Sequence, residues 1–435
     1  MALLSDLLKL RKSTVVKSIG IYTFSNFFSK GISFLLIPLF TNPAFLTPED
    51  NGLLSLFNST TLFLMPFVSL GLIQSTSTDF FKLDKKEFKD FFSTGFVLPV
   101  IVTLLSIAVM FLLKNTLTLK YGFPGNFFWI IPAITFFTFC NEQLLSLVRN
   151  NNQPIHYFYI GMFRIVVELG LAIVLIVFLN YHWYGRISGI LVSYVLLSGY
   201  TYHYFTKNGY LFGTIKKQYL RSEIIYALPI VVLQGSVFVM SSSDKFFLAN
   251  DHAVVGIYAV ACTFASVIII LCTAMLQYVF PQLYTILSQQ VVDYATIRKY
   301  FYLYCIIMLC GTAAVIVFTP LFYKYFINNK YHHALSYSYL IATGYFFWTI
   351  SYFFYSFLFY YKQKKKILLL SFLYILMSLT CNYFFIHAYS DTGAAIAICC
   401  SYFVALVLTI IFTKQYWQIF LKRDIVIHTV KILNE

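Results

Sequence analysis

The sequence predicts an all-α integral membrane protein of twelve transmembrane helices in two six-helix bundles, related by a pseudo-two-fold axis along the membrane normal. Three observations predict it. The 435 residues are 60% hydrophobic and 20% aromatic with only 11% charged, and the mean hydropathy is +0.76, a composition outside the range of water-soluble globules. Twelve runs are long and apolar enough to span a bilayer, which takes ~20 residues of helix. Short matches between the two halves recur at a common offset of about 204 to 208 residues, which fits an internal duplication. The alternating ten-residue segments of a membrane β-barrel are absent.

Taken in order, the predicted spans are 18–40, 51–74, 91–113, 127–148, 154–179 and 187–205. The second half contributes 222–248, 254–280, 300–320, 335–360, 367–387 and 393–412. Ahead of the first span, "MALLSDLLKLRKSTVVK" sets five leucines before a basic cluster, the pattern of a short interfacial helix. It lacks the short apolar core and small-residue cleavage site of a signal peptide. Of the 31 Lys and Arg, 23 fall in the two terminal segments and in alternate loops. Lys114, Lys120, Arg186, Lys324 and Lys330 fall on the other side. Cytoplasmic loops carry the Lys/Arg excess, so both termini are expected in the cytoplasm. The net charge of +15 then reflects topology, and no nucleic-acid partner is expected.

No long soluble insertion interrupts the chain, so residues 1–210 are expected to form the N-terminal six-helix bundle and 211–435 the C-terminal bundle with a cytoplasmic tail. "NGLLSL" at Asn51 aligns with "VGIYAV" at Val255, and Gly185, Ser193 and Tyr194 align with Gly393, Ser401 and Tyr402 at equal spacing. An even number of spans per half gives the halves the same orientation, as in parallel-repeat transporters that work by alternating access. A channel would call for a filter loop or a ring of like charges, and an intramembrane hydrolase for H-E-x-x-H or G-x-S-x-G. None occurs, and no enzyme activity is expected. All eight cysteines lie in apolar spans and read as small packing residues, with no disulfide framework. Neither a metal site nor a cofactor motif is present, and the nucleotide-binding G-x-x-x-x-G-K-[ST] pattern is missing.

Spans 7 and 8 carry a recognisable pattern in "ALPIVVLQGSVFVMSSSDKFFLAN" and "VVGIYAVACTFAS". "NGLLSLFNSTTLFLMPFVSLGL" in the second span, "WYGRISGI" before the sixth and "GAAIA" before the twelfth add to it. In these segments, their order and the overall length, the chain resembles the polysaccharide (O-antigen-type) repeat-unit flippases of the multidrug/oligosaccharidyl-lipid/polysaccharide exporter superfamily. One departure is Asp79, where many relatives carry a basic residue near the cytoplasmic end of span 2. The resemblance implies transport of undecaprenyl-pyrophosphate-linked oligosaccharide repeat units from the cytoplasmic to the periplasmic leaflet of the bacterial inner membrane, in lipopolysaccharide or other surface-polysaccharide biosynthesis. It also implies coupling to an H+ or Na+ gradient, contact with membrane lipids, and a polysaccharide polymerase and chain-length regulator as partners.

Such a task needs a polar cavity and cations for the diphosphate. Charges at a helix centre cost ~2.5–3.5 kcal/mol on insertion scales and so face a bundle interior. Six candidates emerge from the predicted spans: Lys30, Glu142, Arg164, Glu168, Asp244 and Lys245. Lys30, with Asn26 on the same face, and Arg164 fall near the midplane and are the candidate substrate-binding residues. Glu168, Glu142, Asp244 and Lys245 are candidates for ion coupling or gating. Arg164 and Glu168 stand at i, i+4 on one helix face, which leaves two readings: a self-neutralising structural pair, or an arginine that binds diphosphate in bidentate fashion. The aromatic run Tyr345 to Tyr361 could stack on sugars or simply pack. Two other functions compete: a multidrug or metabolite cation antiporter of the same superfamily, which would favour an acidic cavity, and a membrane glycan polymerase or ligase, which commonly carries a large periplasmic loop not seen here.

Overall fold

The computed structural model describes residues 36–289 and 292–416, with residues 21, 28, 31, 32 and 34 ahead of them; these are helical with connecting turns and contain no strand. The interfacial N-terminal segment, Asn26, Lys30 and the tail beyond residue 416 lie outside the described residues.

The first span is described at its end, α1 (Ile37–Phe40). Helix α2 (Pro48–Ser69) begins in a capping box, in which the Asp50 amide donates to Thr47 Oγ1 at 3.2 Å and the Thr47 amide donates to the Asp50 carboxylate at 3.0 Å. Two otherwise orphaned amides are satisfied there reciprocally. Leu70 (φ 45°) and Gly71 (φ 71°) then both turn left-handed, which ends the i→i−4 ladder. The chain resumes as α3 (Leu72–Asp79), so the second span, expected unbroken over 51–74, is two pieces. Helix α4 (Lys85–Leu112) is capped by Asp84, and α5 (Lys114–Tyr121) stops at Gly122, φ +62°. Helices α6 (Phe127–Asn150), α7 (Pro154–Ile173) and α8 (His182–Lys207) follow, and α7 finishes in one π turn, Val174–Phe178.

The second half holds α9 (Lys217–Ser242), the short α10 (Asp244–Phe247), α11 (His252–Leu287), α12 (Tyr294–Phe326) and α13 (Ala334–Tyr360). The last segment, α14 (Lys364–Phe412), is two helices that meet at Ser390, φ 52° and ψ −126°, where spans 11 and 12 were expected to part. Among the described residues, eight helices are long and apolar enough to cross a membrane. Helices α8 and α13 are outside that set because tyrosines replace aliphatic residues along them.

Two compact units divide the chain, Met1–Phe238 with Leu248–Ile257, and Val239–Phe247 with Tyr258–Glu435. The core of the first is aromatic and aliphatic, built around Phe88, Phe92, Phe139, Leu144, Ile160, Leu197 and Phe205. Phe92 meets Phe205 edge to face at 5.1 Å. In lipid, where tails are as apolar as side chains, such packing rather than water exclusion holds helices together. The α8–α9 linker is fastened onto α4: Asp90 accepts from the Thr214 amide and from Lys216 Nζ, both at 2.7 Å. Ser93 Oγ accepts from the Gly213 amide at 2.9 Å, and Thr94 Oγ1 from the Lys216 amide at 3.1 Å. Residues 217–238 belong to the same unit and touch it further along, through Glu223 to Ser75 and Phe238 to Phe63.

Also in the first unit, α2 and the first turn of α11 meet through two glycines. A Cβ on Gly52 would lie 1.8 Å from the His252 carbonyl oxygen, and one on Gly256 would lie 1.9 Å from that of Pro48. The two halves of this contact are offset by 204 positions, the offset of the sequence matches.

In the second unit α13 packs along α14. Gly344 sits against the Cys399 backbone, 3.0 Å from a would-be Cβ, and Trp348 meets Tyr402 at 5.1 Å. Tyr345, Trp348, Phe353, Phe354 and Tyr355 are buried, so much of the aromatic run expected either to stack on sugars or to pack is core. The described cysteines are free thiols.

Candidate functional site

Among the described residues, the α7–α8 hairpin concentrates buried charge. Its geometry begins with "GRISG", residues 185–189. A Cβ on Gly189 would stand 2.6 Å from the Glu168 carbonyl oxygen and 3.0 Å from the Ala172 nitrogen, and one on Gly185 would stand 3.0 Å from Ile176. Two small residues one turn apart let the helices approach backbone to backbone, as small-xxx-small motifs do in membranes. Arg186 lies between them, and the close approach brings it to Glu168.

Glu168 therefore holds two arginines. Arg164 Nη1 lies 2.9 Å from Oε2, and Arg186 Nη2 lies 2.9 Å from Oε1. The pair expected from the i, i+4 spacing forms, with a second guanidinium added from the neighbouring helix. Arg164 also donates to the Tyr194 hydroxyl at 3.4 Å and stands 5.4 Å from its ring centroid. Arg186 lies over Phe40 of α1 at 5.1 Å, and its Nη1 is buried with no acceptor among the described residues. The side chains keep 25% (Arg164), 18% (Arg186) and 11% (Glu168) of their exposure, so the cluster is shielded but reachable. Glu142 on α6 is exposed and within electrostatic range of Arg164 and Arg149. Two guanidinium forks converging on one carboxylate form an arrangement suited to an oxyanion.

Asp244 and Lys245 belong to the second unit. The seventh span, expected continuous over 222–248, breaks at Ser243, and Asp244 opens α10. Asp244 is 1% exposed, accepts from the fully buried Tyr258 hydroxyl, and receives the Lys245 amide at 2.9 Å. Beside it Asn382 donates to Ser243 Oγ at 2.9 Å. The candidate coupling or gating residue Asp244 is thus a buried, hydrogen-bonded carboxylate at the start of a short helix.

Sequence reasoning passed over Arg186, counted as a loop cation, and Glu223. The latter is 4% exposed on α9 and accepts from Ser75 Oγ of α3 at 3.0 Å. The glycine bracket around Arg186 was the available signal. Nothing local in the sequence links Glu223 to Ser75.

Neither a known protein family nor a curated protein matches the sequence. Solved structures do. The inward-facing conformation of a multidrug resistance MATE family transporter of the MOP superfamily is similar with a TM-score of 0.69 and 14% identity, over 91% of this chain and 94% of that one. The fold is that of the MATE transporters. An outward-facing MATE family transporter of the MOP superfamily is similar at TM-score 0.57 and 15% identity, over 94% of this chain and 97% of the other. For a Vibrio cholerae MATE transporter the values are 0.58 and 15%, over 94% and 99%. A MATE-like fold with this many apolar helices makes the chain a multi-pass membrane protein.

Proposed function

We propose that the protein is a secondary transporter that moves an undecaprenyl-pyrophosphate-linked oligosaccharide from the cytoplasmic to the periplasmic leaflet of a bacterial inner membrane. In this reading it works by alternating access of two six-helix repeats, 1–210 and 211–435, with both termini cytoplasmic and an H+ or Na+ gradient as the energy source. A polysaccharide polymerase and a chain-length regulator would act downstream of it. The observation that carries the anionic substrate is the convergence of Arg164 and Arg186 on the single carboxylate of Glu168. Moving a charged headgroup through hydrocarbon unaided is costly, and paired guanidiniums offset that cost for a diphosphate. Lys30 and Asn26 are proposed as further substrate-binding residues, with Glu142, Asp244 and Lys245 in coupling or gating.

A second reading, a multidrug or cation antiporter, is favoured by the similar structures, which include a multidrug resistance transporter, and by the buried carboxylates Glu168, Glu223 and Asp244. One reconstitution separates the two. Proteoliposomes carrying a fluorescent lipid-diphosphate-linked oligosaccharide are assayed for leaflet accessibility, with and without an H+ or Na+ gradient, beside a lipophilic cationic dye. Gradient-dependent transfer of the lipid supports the flippase. Dye export with a static lipid would replace it with the antiporter.

A further inference from the structure

We infer that Glu168 is a built-in surrogate anion: it keeps Arg164 and Arg186 together as a two-guanidinium clamp, and a diphosphate-type headgroup binds by taking its place. The inference rests on the anionic-substrate reading above. A carboxylate that served only to neutralise Arg164 would need one partner, supplied one helical turn away. Glu168 instead spans two arginines from different helices, one on each oxygen and both at 2.9 Å. The helices are brought to that distance by Gly189 against the Glu168 backbone itself.

Each arginine is also held from behind by a ring, Tyr194 for Arg164 and Phe40 for Arg186. The forks are therefore positioned without depending on Glu168 alone. Arg186 retains a buried Nη1 with no acceptor among the described residues, a donor that Glu168 leaves unsatisfied. Among the described residues, Glu142 is a further carboxylate in electrostatic range of Arg164. A diphosphate has enough oxygens to satisfy both forks while Glu168 withdraws. The specificity residue added to Arg164 is thus Arg186, and Glu168 sets the affinity by competing.

The test measures binding by the full-length protein in nanodiscs, with farnesyl diphosphate as the membrane-anchored probe and inorganic diphosphate as the free one. Charged hydrogen bonds of this kind are worth about tenfold or more in affinity. Arg186→Gln should weaken farnesyl diphosphate binding by about tenfold or more, with Arg186→Lys in between because it keeps charge but loses the fork. Glu168→Gln should tighten it about tenfold by removing the competitor. Inorganic diphosphate should compete in the same order if the headgroup alone is read; failure to compete, with farnesyl diphosphate still following the series, assigns the clamp to lipid-borne diphosphate. Thermal unfolding of each variant shows that it is folded. Weaker binding by a folded Glu168→Gln protein would overturn the inference, since Glu168 would then be holding the arginines up. Wild-type binding that ignores Arg186→Gln would overturn it while leaving the transport reading in place. Absence of diphosphate binding in the wild type and Glu168→Gln alike, with cationic-dye binding retained, would remove both.

Discussion

Replacing Gly189 with alanine tests whether the glycine bracket sets the site. The added Cβ would lie 2.6 Å from the Glu168 carbonyl oxygen, where ordinary contact begins at 3.4 Å, so α8 must retreat from α7 by about 0.8 Å. Such overpacking costs about 1–3 kcal/mol, and the better helix propensity of alanine returns about 0.8–1 kcal/mol, for a net loss of about 0–2 kcal/mol. The same retreat would stretch the 2.9 Å Arg186–Glu168 contact to about 3.7 Å, beyond a hydrogen bond although still an ion pair. The control is Gly199→Ala on the same helix, where nothing lies within 4 Å. Its Cβ is free, and it should be neutral or slightly stabilising. Thermal unfolding in detergent and diphosphate binding are read side by side, and the Gly189 variant should lose on both. Equal melting temperatures and equal binding for the two variants would refute the close-approach argument.

Three further outcomes follow from other parts of the molecule. Tyr258→Phe removes the hydroxyl that donates to buried Asp244 and should cost about 1–3 kcal/mol; an unchanged melting temperature would count against the hydrogen bond. Asp90→Ala removes the acceptor of both Thr214 and Lys216, so trypsin should cut at Lys216 faster than in the wild type, and an unaltered cleavage rate would argue that the linker is held by other contacts. Asp293, outside the spans, caps α12 by accepting from the Thr296 hydroxyl and amide, which hold its carboxyl below the usual range. A lowered folded-state value means that the cap is fully present above the unfolded value of ~3.9 and fades as pH falls through the folded one. Hydrogen exchange at Thr296 should therefore stay protected to about pH 4 and rise only below it; loss of protection at pH 6 would contradict the assignment.

The helices were legible because membrane spanning imposes a length and a composition that show in one dimension. Even Ser390, where two spans merge into one helical stretch, fell in the predicted gap between 387 and 393. The break at Leu70–Gly71 was not legible, since it lies inside an apolar run and depends on left-handed backbone, whereas the break at Ser243 falls in the polar stretch 241–245, which was read as part of the seventh span. The Arg164–Glu168 pair was readable because i, i+4 spacing is local. Arg186 was not, because a charge at a helix start looks like a loop residue until a neighbouring helix supplies its carboxylate. Glu223 and Ser75 stand 148 positions apart, and no periodicity connects them.

The crossing of Gly52 with His252 and of Gly256 with Pro48 has the form of an isologous contact: residue 48 meets 256 as 52 meets 252. Contacts of that kind normally join two copies of one chain. Within a single polypeptide they constrain how the halves diverge, since a side chain gained at either glycine burdens the other half's backbone as well. A substitution at one of these glycines is therefore expected to be tolerated only together with a change in the segment it meets.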